Sequence, residues 1–122
     1  MKDSYLELIY SFFSKPILFL PFLLSLILNI IIWLSLLIKV PLSASGIPLH
    51  YNIYFGIDWF GAWIMIFIYP MIALVVLIIN FLISLKLHLK DMFLTKLINL
   101  VSLLVQVIIL TGIFTILMNY FR

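Results

Sequence analysis

The chain has 122 residues, of which 67% are hydrophobic and 9% charged, with a formal net charge of +3. Charged residues near a quarter of the total are usual in soluble domains, so this chain cannot clothe a soluble bundle in solvated side chains. The basic residues are scattered, which excludes a nucleic-acid patch, and the lack of Cys excludes disulfides, thiolate metal sites and a thiol nucleophile.

Residues 3–14 come first. Asp3, Ser4, Glu7, Ser11 and Ser14 recur at helical spacing, with Tyr5, Leu6, Leu8, Ile9, Phe12 and Phe13 filling the other side. This pattern predicts a short helix in the membrane interface, aromatics down and polar residues up. Lys15-Pro16 then breaks it, because proline has no N–H to donate.

Three runs free of Lys, Arg, Asp, Glu and His follow, at residues 17–38, 59–85 and 97–119. Each exceeds the roughly 20 residues an α-helix needs to cross about 30 Å of hydrocarbon. The expected architecture is all-α: one integral membrane domain with spans at 16–39, 59–85 and 97–121. The first run is longer than the h-region of a signal peptide and reads as a retained signal-anchor. Pro21 lies early in its span, where a helix tolerates it, whereas Pro70 in the second predicts a kink that frees the carbonyl of Ile66.

Of the charged residues between positions 16 and 121, nearly all lie in the connections at 41–58 and 86–96. Placing the N-terminus in the cytoplasm puts Lys2, Lys15, Lys86, Lys90 and Lys96 inside, and only Lys39 and Arg122 outside. Lysine and arginine bias across short loops therefore predicts N-in, C-out. Tyr51, Tyr54, Phe55, Trp59, Trp63, Tyr120 and Phe121 gather at the outer level, as an interfacial belt does. In the short inner connection, Lys86, His88, Lys90 and Asp91 read as headgroup-facing charges.

Four amides lie inside the spans: Asn29, Asn80, Asn99 and Gln106. An amide facing lipid leaves donors and acceptors unpaired, so each is expected to face another helix. At 1.5 Å rise per residue, Asn80 lies about 9 Å from Lys86 and Asn99 about 5 Å from Lys96, so these two can pair across the turn. Asn29 lies deeper and can meet the third span near the midplane. On that span Asn99, Ser102 and Gln106 share one face and Thr111 and Thr115 lie opposite, so it can touch two partners. As a polar pathway the amides would serve an ion or small solute; as interhelical glue they would fix the bundle. No ionisable group lies inside a span and three helices enclose little volume, which favours glue.

The outer loop holds a second concentration of polar residues in the stretch IPLHYNIYFGIDWFGA at 47–62. His50 and Asp58 can form a proton-responsive pair, or supply two metal ligands with Asn52 as a weak third, short of what zinc prefers. Hydrolysis lacks a nucleophile and an orienting group. The simplest reading is structural, with Asp58 as the N-cap of the second span.

Pro48, His50, Tyr51, Asn52, Gly56 and Asp58, between the first two spans, resemble the signature of a poorly characterised bacterial domain. It occurs in membrane proteins related to the immunity and signalling protein against the sporulation-delaying toxin. Gly56 stands one place later than in that signature. The whole chain is similar to small uncharacterised membrane proteins of uncultivated bacterial lineages, in which an HYN-x-YFGID-like loop separates two spans. The resemblance implies a bacterial plasma-membrane protein, with no activity, catalytic residue, metal or cofactor attached.

The expected function is therefore that of a non-enzymatic accessory, interaction or immunity-like protein, working in the lipid bilayer on a membrane-protein partner or a second copy. The alternative is a subunit of an oligomeric transporter or channel, and a membrane enzyme comes third.

Overall fold

A computed structural model describes residues 2–40, 47–52, 56–61 and 63–120, with side chains described for 5–40 and 64–119. The described elements, in chain order, are α1 (Lys2–Phe13), α2 (Pro16–Lys39), strands β1 (Ile47–Asn52) and β2 (Gly56–Gly61), a 3-10 segment (Trp63–Phe67), α3 (Ile68–Leu87) and α4 (Met92–Tyr120). Three stretches, Pro16–Lys39, Ile64–Leu87 and Met92–Asn119, are long and apolar enough to cross a membrane. The chain is thus a multi-pass membrane protein of α-helical architecture, and the paired strands are an addition to it.

The three long helices bury positions that alternate four and three residues apart. On α4 these are Thr95, Asn99, Ser102 and Gln106, then half-buried Ile109, then Ile113 and Ile116. On α2 they include Ser25, Asn29, Ile32 and Leu36. A step averaging 3.5 residues keeps one seam facing its neighbours, as in knobs-into-holes packing. The α4 seam is polar in its first half and apolar in its second, and α4 lies against both α2 and α3.

The apolar half joins Ile32, Leu36 and Val40 of the first span to Ile66 and to Ile113, Ile116 and Leu117. Trp33 stacks on Phe67 at its edge, with ring centroids 5.7 Å apart. At the other end Phe12, Leu18 and Leu85 form a second cluster with Phe19, Phe22, Phe81 and Met92 around them. Phe22 and Phe81 stack there at 4.4 Å. Phe12, fully buried, meets Phe81 edge-on at 5.3 Å, which docks α1 onto α2 and α3.

Several boundaries differ from the sequence reading, each for a physical reason. Trp59 belongs to β2 and not to a helix; the second span enters through the 3-10 segment and becomes α-helical at Ile68. Pro70 therefore occupies the first turn of α3, three residues after the change from 3-10 to α geometry, and lies near the start of the span and not at its middle. Asp58 lies within β2, so it cannot cap a helix. The third helix starts at Met92, not 97. Asp91 caps it, its Oδ1 accepting from the backbone N–H of Leu94 at 3.0 Å, the third residue of the helix. This leaves only 88–91 as the turn between α3 and α4.

The strands form an antiparallel hairpin with Asn52 opposite Gly56 and Pro48 opposite Phe60. Its register shifts on both sides of His50, which stands opposite Trp59. A bulge accommodates Pro48, which cannot donate to a regular ladder. β1 lies against α4 and the 3-10 segment, so the hairpin covers one end of the bundle.

Candidate functional site

Among the described residues, chemistry-bearing side chains converge along the polar half of the α4 seam. Asn29 donates from Nδ2 to Gln106 Oε1 at 3.0 Å and to the carbonyl of Pro70 at 3.1 Å. Gln106 in turn donates from Nε2 to the carbonyl of Ala73 at 2.9 Å. Two side chains thus tie all three spans together. They reach α3 through backbone oxygens in or near its first turn.

The next layers run toward the 88–91 turn. Asn80 donates to Ser102 Oγ at 2.7 Å, and Ser84 donates to Asn99 Oδ1 at 3.1 Å. Asn99 also reaches the carbonyl of Leu18 at 3.4 Å. Asn80 and Asn99, expected to pair with each other, are each bonded to a serine instead. The antiparallel register set by the short turn puts Asn80 level with Ser102, and Asn99 level with Ser84 one turn further on.

The last layer is His88. It is 2% exposed, so it does not face headgroups as the sequence reading had it. Its Nδ1 lies 2.9 Å from the carbonyl of Leu85 and 3.2 Å from that of Ser84, acceptors that fix a proton on this nitrogen. In the neutral ring Nε2 then accepts from the hydroxyl of Ser11 at 3.1 Å, while the edge of Phe12 packs at 6.0 Å between centroids. Ser11 thus turns its hydroxyl toward the bundle, and the polar stripe expected to face water along α1 is broken there.

Ser84 is not singled out by the sequence, and His88 and Ser11 are read there as facing headgroups and water. A signal exists in Asn80, Ser84 and His88, which stand four residues apart on one face of α3, opposite Ser102, Asn99 and Thr95 on α4.

Along the described residues no buried side-chain nitrogen or oxygen lacks a hydrogen-bond partner. The amides, serines and histidine use their capacity on each other and on backbone carbonyls. Such an arrangement holds helices at a fixed depth and rotation; it presents no ring of unpaired dipoles that would replace the hydration shell of an ion. Among the described residues no group of three or more His, Asp or Glu side chains is placed to hold a metal ion.

Beyond Gln106, α4 turns a different polar set outward. Thr111 donates to the carbonyl of Val107 at 2.8 Å, Thr115 to that of Thr111 at 2.8 Å, and Asn119 to that of Thr115 at 2.7 Å. Thr111, Gly112 and Asn119 are exposed, and a Cβ added to Gly112 would meet nothing within 4 Å.

Of the loop motif, the backbone of Pro48, His50, Tyr51, Asn52, Gly56 and Asp58 is placed in the hairpin. Their side chains lie outside the described residues, as do those of Trp59, Trp63 and Tyr120, while Tyr54, Phe55 and Phe121 lie outside altogether. No family model, curated protein or solved structure matches the chain.

Proposed function

We propose that this is a non-enzymatic integral membrane protein that acts by contact with another membrane protein, through the outward face of α4 and the hairpin-bearing end. The observation that carries this reading is the mutual satisfaction of the buried polar groups: Asn29, Gln106, Asn80, Ser102, Ser84 and Asn99 are bonded within the bundle. A bundle closed in this way is a rigid presenter of surfaces and not a conduit. Small and hydroxyl-bearing residues let helices approach closely in lipid, and α4 offers Thr111, Gly112 and Thr115 outside the bundle. The resemblance of the loop motif supports placement in a bacterial plasma membrane. The lysine distribution supports a cytoplasmic N-terminus and an outer C-terminus.

The test is affinity purification of the tagged full-length protein in mild detergent, with the mass of the intact complex determined. The expected result is a stoichiometric complex with a larger membrane protein, lost in Gly112→Leu while the variant still accumulates and melts like wild type. A defined homo-oligomer that passes ions or solutes in vesicles, with flux abolished by Asn29→Leu, would replace this reading with the transport one.

A further inference from the structure

Four lysines whose side chains are described collect at one end of the bundle. Lys15 precedes α2, Lys86 lies in the last turn of α3, Lys90 is in the turn, and Lys96 follows closely on the start of α4. Lys86, Lys90 and Lys96 are exposed and Lys15 is half-buried. Among the described side chains two carboxylates share this end, Glu7 on α1 and Asp91 in the turn. Asp91 caps α4, its Oδ1 accepting from the N–H of Leu94. Four lysines against two carboxylates leave the described side chains of this end net cationic.

α1 is fixed at the same level, since Ser11 bonds His88 and Phe12 enters the aromatic cluster. Its outward surface is apolar and aromatic: Tyr5, Leu6, Ile9, Tyr10 and Phe13 are all exposed, Tyr10 most of all at 81%. Leu6, Ile9, Tyr10 and Phe13, with Glu7 at the margin, line a shallow groove along it. A soluble face would be polar here. A face in contact with acyl chains, topped by lysines at headgroup depth, is what the two features together make.

We propose that this end binds anionic glycerophospholipid, with lysine ammonium groups on the headgroup phosphate and the α1 groove against an acyl chain. Opposite charge decides for an anionic lipid over a zwitterionic one: a basic residue near an anionic membrane surface contributes about a fivefold preference. The inference stands independently of any protein partner, and it holds whichever side of the membrane this end faces.

Native mass spectrometry of the full-length protein in detergent, with equal amounts of phosphatidylglycerol and phosphatidylcholine added, reads the preference directly. Wild type is expected to retain phosphatidylglycerol about tenfold or more over phosphatidylcholine, with the preference falling as ionic strength rises. Combined Lys15→Gln, Lys86→Gln, Lys90→Gln and Lys96→Gln should remove it, whereas Lys39→Gln at the opposite end should not. The salt dependence of wild type keeps the test decisive if the combined variant does not fold. Equal retention of both lipids, a preference insensitive to salt, or loss with Lys39→Gln would overturn the proposal. Displacement of the lipid by millimolar inorganic phosphate at constant ionic strength would also overturn it, by assigning the lysines to a free anion.

Discussion

Asn29 and Gln106 show how far one hydrogen-bonded pair can go in lipid. Water is absent as a competitor, yet membrane double-mutant cycles give only about 0.6 kcal/mol on average for such bonds, because amides in separated helices also find partners. Gln106, fully buried, differs from that average in serving two helices at once. Replacing it by Leu is expected to destabilise the bundle by about 1–2 kcal/mol in detergent unfolding, the upper part of the measured range. Asp91→Ala should cost about 1 kcal/mol through the lost cap, and Asp91→Asn only a few tenths, since asparagine caps nearly as well. Both are read by thermal unfolding in a fixed detergent.

At the scale of elements, α1 is the separable part. Its attachment rests on Phe12 among Phe22, Phe81 and His88, and on the Ser11–His88 bond, whereas α2 to α4 share a continuous seam. Phe12→Ala is expected to raise hydrogen exchange in residues 2–13 by about tenfold or more, equivalent to ~1.4 kcal/mol, while leaving the spans protected. Uniform deprotection of all helices would show that α1 is integral to the bundle. The spans themselves were legible because absence of charge over a helical length has one common meaning. Amide positions were legible too, since an amide in lipid has to face a helix, and depth arithmetic brought Asn29 level with the third span. The hairpin was not: His50 to Trp59 reads as aromatic loop, and Asp58 before an apolar run mimics an N-cap until cross-strand pairing claims residues 56–61. The start of α4 was hidden for the opposite reason. Lys96 looked like a loop charge, although it sits in the second turn of a helix capped by Asp91.

Over the whole molecule the polar and apolar halves of the α4 seam divide the labour. The polar half sets rotation and register through paired amides and serines, and the apolar half fills the space around Ile32, Leu36 and Ile66. α4, with 29 residues, is about 43 Å long at 1.5 Å per residue, more than the hydrocarbon requires, so its ends stand in the interfaces. The chain has no Cys, so single cysteines can be introduced without background. Ser4→Cys is expected to be labelled by an impermeant thiol reagent only after the cells are opened, and Asn119→Cys in intact cells. The reverse pattern would invert the topology argued from the lysines.

The central claim is that the buried amides are a structural clasp between spans. A double-mutant cycle on Asn29→Leu and Gln106→Leu, read by unfolding in detergent, tests it most directly. The account predicts destabilisation in each single variant and a coupling between the two of about 0.6–1.7 kcal/mol. Zero coupling, with both variants as stable as wild type but inactive in the cell, would contradict it and make the pair a functional site.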